Sequence, residues 1–202
     1  MKPLNFRIKS HRGQQQLLPN HKHILLDGVQ RWIHLRAHRN KRESQSHFLI
    51  LLLERLFFHD PLSYNWTIQS YINISDVSTI EDYWSINNLL QEYLHLGMFF
   101  LMRDKISPLW NETNNNYSFS MKVLKNESLW YWNYLNSRLL SENFLNTEHQ
   151  NNWNTLNGIS ISPKKNFCII KIWLTEILDE DIRKVYKIPD KYNGDIVIKK
   201  YN

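Results

Sequence analysis

A chain of 202 residues with 42% hydrophobic side chains can build one well-filled domain and still leave a tail. Its single cysteine, Cys168, excludes an internal disulfide and fits a reducing, cytoplasmic setting. The longest apolar run, Phe48–Leu53, is too short to span a bilayer, so no membrane association is expected.

The net charge of +6 is uneven: residues 1–46 hold 10 Lys and Arg against 2 Asp and Glu, leaving 15 against 17 over residues 47–202. The basic excess therefore belongs to the N-terminal segment. There it can add salt-sensitive attraction to RNA phosphates, or simply keep a partly disordered arm in solution. A lone alanine, Ala37, beside abundant Asn, Ile, Lys and Tyr is the composition of an AT-rich genome, such as a protist's or a large DNA virus's. It says nothing of the fold.

Residues 1–22 are polar, with Gln14-Gln15-Gln16 and no sustained periodicity. Ile24, Leu25, Val29, Trp32, Ile33 and Leu35 predict a short helix over 24–38, and 39–46 is a charged linker. Residues 1–46 thus read as an extension and 47–202 as the compact domain. Strands are expected over 47–58 and 67–74, separated by a polar loop holding Asp60-Pro61. Thr79, followed by Glu81 and Asp82, makes a helix N-cap with acidic residues in the first turn. That helix should run to about residue 93, with Ile80, Trp84 and Ile86 as its apolar anchors. A strand over 98–103, a loop with Pro108, a strand over 117–124 and a second helix over 126–144 follow. Strands over 155–162 and 167–175 flank a basic hairpin turn, Pro163-Lys164-Lys165-Asn166. A short helix over 179–187 and a strand over 194–200 close the chain. Hairpin-linked strands with three interspersed helices define the α+β class: a mostly antiparallel sheet with helices on one face. The other face is then free to bind something.

The tryptophans carry the chemistry. Trp66 and Trp110 fall in loops, and Trp173 inside a late strand. Large aromatics at loop tips build little core, so this pair suggests a stacking clamp. Other sites are poorly supported. His21 and His23, or His34 and His38 at helical spacing, have no Cys pair or acidic partner nearby, so no metal site is expected. Five glycines without a Gly-x-Gly-x-x-Gly or P-loop pattern argue against nucleotide hydrolysis or a methyl-donor site. No nucleophile context appears, and Cys168 reads as strand packing. The chain reads as a non-enzymatic protein without a cofactor.

A further set of motifs is more specific as an ordered series. Phe57-Phe58 precede Trp66; Thr79-Ile80-Glu81-Asp82-Tyr83-Trp84 and Ile106-Ser107-Pro108-Leu109-Trp110 follow. Then come Leu129-Trp130-Tyr131-Trp132, Glu142-Asn143-Phe144 and the Gly158-to-Trp173 stretch. Over residues 47–199 this resembles the eukaryotic translation initiation factor 4E family. The resemblance implies a curved antiparallel sheet, three helices on its convex face, and a slot for the 7-methylguanosine cap of mRNA on the concave face. Trp66 and Trp110 would sandwich the methylated base and Trp173 would touch the methyl group. Methylation at N7 makes the base cationic, and electron-rich indole faces prefer it to neutral guanine. Lys164 and Lys165 in the basic turn would reach the cap triphosphate. Lys171, two residues before Trp173 and so on the same strand face, could do the same.

Two departures from the family stand out. Where the family has a Glu for the guanine edge, this chain has Asn111, and Glu112 comes next. An amide cannot reproduce a carboxylate's bidentate acceptance from N1–H and the 2-amino group. The Asn114–Asn116 run reads as a pliable loop, so Glu112 is expected to turn in. On the helix side, family members bind the helical Tyr-x-x-x-x-Leu-φ motif (φ apolar) of a scaffold or repressor. That site would use His47, Phe48 and Leu49 with Ile80 and Trp84, but Asn133 stands where the family has a Leu. Compared with the family pattern, the sequence also ends soon after Ile196-Val197-Ile198, before a further loop. The resemblance implies a cytoplasmic cap-binding initiation factor that recruits capped mRNA through a scaffold partner. A cap-binding translational repressor and, further off, a cap-modifying enzyme are the alternatives.

Overall fold

The computed structural model describes residues 49–103, 105–110 and 114–201, with only the backbone for 49–52. The predicted N-terminal helix, and the question of how residues 1–46 are ordered, lie outside the described residues. Among the described residues, seven strands form one sheet: β1 (Leu49–His59), β2 (Tyr71–Thr79), β3 (Met98–Arg103), β4 (Tyr117–Leu124), β5 (Leu156–Pro163), β6 (Phe167–Leu174) and β7 (Ile196–Lys200). Their order is β2-β1-β3-β5-β6-β4-β7, and every pair is antiparallel. The helices are α1 (Ile80–Leu90), α2 (Ser128–Leu140) and the short α3 (Ile182–Val185), with a 3-10 run over Thr147–Thr155. The expected α+β architecture, a seven-stranded antiparallel sheet with three longer helical segments packed against it, is what the chain forms.

Successive side chains on a strand point to opposite faces, and the chain uses this throughout. Leu56 and Phe58 of β1, Phe99 and Leu101 of β3, Phe119 and Met121 of β4, and Ile170 and Ile172 of β6 are buried in one core shared with the helices. Burying such a side chain contributes about 1.5–3 kcal/mol. The intervening residues Phe57, Phe100, Met102 and Trp173 form a second, smaller apolar cluster with Tyr71 and Leu109 on the opposite, open face. The period-two pattern thus builds a deep core under the helices and an aromatic floor on the other side.

Thr79 caps α1 as expected: its Oγ1 accepts from the Asp82 amide at 3.0 Å, and Asp82 Oδ2 accepts from the Thr79 amide at 3.2 Å. The inward stripe is Tyr83, Ile86, Asn87 and Leu90. Of the apolar anchors expected on this helix, Ile86 is buried, whereas Ile80 and Trp84 are 39% and 40% exposed. They lie on the flank of the helix, roughly a quarter-turn from the center of that stripe. Asn87 joins the two long helices: its Nδ2 donates to Asn133 Oδ1 at 2.9 Å, and its Oδ1 accepts from buried Trp132 Nε1 at 3.2 Å.

Some boundaries differ from expectation. The second helix occupies 128–140 rather than 126–144, and Glu142, at φ 51°, turns the chain out of helical geometry. The 179–187 helix contracts to four residues, 182–185. The nine-residue 3-10 run, Thr147–Thr155, has a polar sequence with no helical periodicity to announce it. The expected 67–74 strand begins only at Tyr71, after a 3-10 turn over Ile68–Ser70, and continues to Thr79.

Candidate functional site

Trp66 rides on the loop between β1 and β2, which is held by turn chemistry. The Leu62 amide donates to Asp60 Oδ1 (2.9 Å), the Asn65 amide to Ser63 Oγ (3.2 Å) and the Thr67 amide to Asn65 Oδ1 (3.0 Å). The indole is half-buried, packed on the aromatic floor. Behind it lies His59, the last residue of β1 and 0% exposed. The imidazole is stacked on Trp66, with centroids 4.2 Å apart and planes 5° apart. His59 Nε2 is 2.8 Å from the Asn65 carbonyl. Tyr71 closes the corner, its ring 4.6 Å from that of His59, and burial pushes its phenol well above the ordinary value.

Trp110 stands at the tip of the loop after β3 and is 36% exposed. The base of this loop is stapled by asparagines. Buried Asn115 donates from Nδ2 to the carbonyls of Ser107 (2.8 Å) and Leu109 (2.7 Å). Asn157 of β5 donates to Asn115 Oδ1 at 3.1 Å and to the Asn114 carbonyl, and accepts from Thr175 Oγ1 at 3.2 Å. The Asn114–Asn116 run, expected to be pliable, is therefore pinned through its middle residue. Sequence reasoning missed Asn115 and Asn157 because an Asn-rich composition hides two structural amides among many solvated ones. It missed His59 because nothing in a strand-end histidine announces a ring behind it.

Trp66 and Trp110 come together, with ring centroids 5.1 Å apart and planes tilted by 50°. A planar base between two parallel rings needs them about 7 Å apart, two contacts of about 3.5 Å. One ring must therefore swing for a base to enter. Asn111 and Glu112 lie outside the described residues.

Trp173 is buried at the base of this face. It is 1% exposed, donates from Nε1 to Ser160 Oγ at 2.9 Å, and is roofed by Tyr201, whose ring lies 6.1 Å away at 15°. In this arrangement it is part of the floor, with the Tyr201 ring stacked on it. Lys171 does share the face of Trp173, its Nζ 4.9 Å from the ring, but it donates to the Tyr201 hydroxyl at 2.8 Å. Ser118 Oγ is 3.0 Å from the same hydroxyl, and Lys199 Nζ lies 4.8 Å over the tyrosine ring. Lys164 and Lys165 are exposed in the β5–β6 turn, closed by the Lys164 amide donating to the Phe167 carbonyl at 2.8 Å.

On the opposite side, Ile80 and Trp84 are exposed on α1, while half-buried Asn133 is engaged with Asn87. His47 and Phe48 lie outside the described residues, and of Leu49 only the backbone, opposite Thr79, is described. Among the described residues no group of three or more His, Cys, Asp or Glu could hold a metal ion, and no helix is long and apolar enough to cross a membrane. Burial raises the pKa of the Cys168 thiol, which suits a packing role.

The described residues thus form a sheet roofed by helices on one face and floored with aromatics on the other, where two loop tryptophans meet. The family described as Eukaryotic initiation factor 4E matches residues 34–200, beginning before the domain boundary expected at 47. The chain belongs to this family of non-enzymatic mRNA cap-binding proteins. No curated protein sequence matches it. Solved structures share the fold at low identity. A Caenorhabditis elegans eIF4E-3 complex with the 4E-binding protein Mextli and a cap analog matches with TM-score 0.58 and 17% identity, covering 68% of this chain and 80% of that one. Ascaris suum eIF4E-3 matches in its complexes with the m2,2,7G cap (TM-score 0.58) and the m7G cap (0.57), each at 17% identity and covering 68% of this chain and 79% of that one.

Proposed function

We propose that this chain holds the 7-methylguanosine cap of mRNA between Trp66 and Trp110 and recruits the message, in the cytoplasm, for translation initiation through a helical scaffold partner on the opposite face. The observation that carries the reading is the meeting of two loop tryptophans over an aromatic floor, 5.1 Å apart although they are distant in sequence. The structural relatives bound to cap analogs and to a 4E-binding protein support it. Stacking on each ring is worth about 1–3 kcal/mol, and a cationic base adds about 0.5–2. Glu112 is assigned the guanine edge, and Lys164, Lys165 and Lys171 the phosphates. Trp173 supports the base from beneath, reaching the methyl group only if Tyr201 moves. Quenching of tryptophan fluorescence by 7-methylated and unmethylated cap analogs tests the reading directly. Equal affinity for the two would sink it.

The lysine turn gives a separable test. Replacing Lys164 and Lys165 with Ala should weaken binding of a triphosphate-bridged cap analog more than that of the 7-methylated nucleoside. It should also flatten the salt dependence, since each phosphate contact releases counterions. Equal losses for both ligands would mean that the pair acts through folding.

The partner surface is proposed on α1. Ile80 and Trp84 offer exposed apolar area there, His47, Phe48 and Leu49 are assigned beside it, and Asn133 presents an amide in place of an apolar side chain. Trp84→Ala should remove binding of a Tyr-x-x-x-x-Leu-φ peptide and preserve cap binding, because the two sites occupy opposite faces of the sheet. Both affinities falling together, at unchanged thermal stability, would contradict that separation.

A further inference from the structure

We infer that His59 is a positioning residue of the cap clamp: a third aromatic layer that fixes Trp66 from behind, so that Trp66 is the stationary jaw. The inference rests on the assignment of Trp66 and Trp110 to the base. Three observations carry it. The imidazole is fully buried at the end of β1, and its plane departs from that of Trp66 by only 5° at 4.2 Å. Its one hydrogen bond goes to the carbonyl of Asn65, the residue that precedes Trp66. Because a carbonyl only accepts, Nε2 carries the proton, and Nδ1 remains a buried acceptor with no partner among the described residues.

That last feature is informative. A phenylalanine would fill the same space without an orphan nitrogen, so shape alone does not explain an imidazole here. One ring does two jobs: its face sets the plane of the indole, and its N–H anchors the peptide that carries the indole. Tyr71, 4.6 Å from the imidazole and tilted by 52°, also lies 6.5 Å from the Trp66 ring and so buttresses the edge of the His59–Trp66 pair. Tyr71 of β2 and His59 of β1 thus hold Trp66 from two directions, and Trp110 meets the indole at 5.1 Å. A jaw held this way loses little freedom when a base stacks on it, and affinity rises through preorganization. Without the backing ring, Trp66 gains rotamers that do not face a base.

The test compares four full-length proteins: wild type, His59→Phe (ring kept, N–H lost), His59→Gln (an N–H near the Nε2 position, no ring) and His59→Leu (neither). Affinities for 7-methylated and unmethylated cap analogs come from fluorescence quenching, alongside thermal melting. His59→Leu should lose about tenfold in affinity for the methylated analog, the size of one weakened stacking contact. His59→Phe should recover most of that loss, and His59→Gln little. Recovery by the ring variant at matched melting temperature is what a merely structural role would not give. Wild-type protein that does not distinguish the two analogs overturns the cap reading, and this inference with it. Wild-type binding that persists within twofold in His59→Leu overturns the inference alone, as does equal recovery by Gln and Phe. Should His59→Leu not fold, His59→Phe against His59→Gln decides: Gln binding as well as Phe refutes the stacked layer.

Discussion

Alanine at either Trp66 or Trp110 is expected to abolish retention on a 7-methylguanine resin. Each mutant forfeits one stacking face, about 1–3 kcal/mol, together with its share of the cation–π attraction, about 0.5–2. Combined, these reach one to three orders of magnitude in affinity. The two mutants should differ in stability. Trp110 is 36% exposed on a loop whose base is stapled independently by Asn115, so its loss should leave the melt nearly unchanged. Trp66 packs on His59 and the aromatic floor, so its removal should lower the melting temperature as well. Trp66→Phe, which keeps a ring on His59, is the control that separates stacking from folding. In the same assay Glu112→Gln is expected to cost about tenfold, one charge-assisted hydrogen bond to the guanine edge, and Asn111→Ala little. Near wild-type retention by either tryptophan mutant would remove the clamp from consideration.

The largest effect on stability is expected at Gly158. The residue sits at a bulge in β5, where φ is +156° and a Cβ would come within 2.5 Å of the Leu101 carbonyl oxygen and 2.9 Å of the Met102 Cα. Both are backbone atoms of the neighboring strand and cannot step aside. Gly158→Ala therefore carries about 1–3 kcal/mol of backbone strain, and about 1–3 more from forcing β3 and β5 apart. At about 2–4 °C per kcal/mol for a domain of this size, the melting temperature should fall by several degrees or more. Gly158 lies across from Met102 on one side and Trp173 on the other, so the strain lands in the floor beneath the clamp. Cap affinity should decline even in the fraction that stays folded. A melt indistinguishable from wild type would show that β3 and β5 tolerate a side chain here.

The sheet was legible because its strands alternate: Phe57 faces the floor and Phe58 the core, and no other local structure satisfies that pattern so cheaply. The Thr79 cap was legible because its reciprocal bonds are encoded within four residues. Trp66 and Trp110, proposed as the clamp, stood out in the sequence as large aromatics placed in loops. The rest depends on nonlocal geometry. Whether Trp84 turns inward or outward on α1 is decided by where the α2 side chains meet Asn87, and spacing along one helix does not carry that information. Asn115 and Asn157 meet across 42 residues of chain, and His59 meets Trp66 only once β1 has ended and the loop has folded back. Tyr201 reaches Trp173 only because β7 aligns beside β4. Sequence periodicity sees elements; these contacts arise between them.

The placement of Tyr201 ties the accessibility of the floor to one edge of the sheet. β7 has five residues, bonds only to β4, and is mostly exposed, whereas β1, β3 and β6, which carry Phe57, Phe100, Met102 and Trp173, are paired on both sides. Such an edge belongs to the low end of a protein's spectrum of opening free energies, well below global unfolding. Were β7 to open, Tyr201 would leave with it, uncovering Trp173 and releasing the Lys171 ammonium, and the helix-side core would lose only the packing of Ile196 from this strand. A fluctuation confined to that one strand would then change what this face presents. A ligand that prefers the uncovered floor gains affinity only after subtracting the cost of that opening.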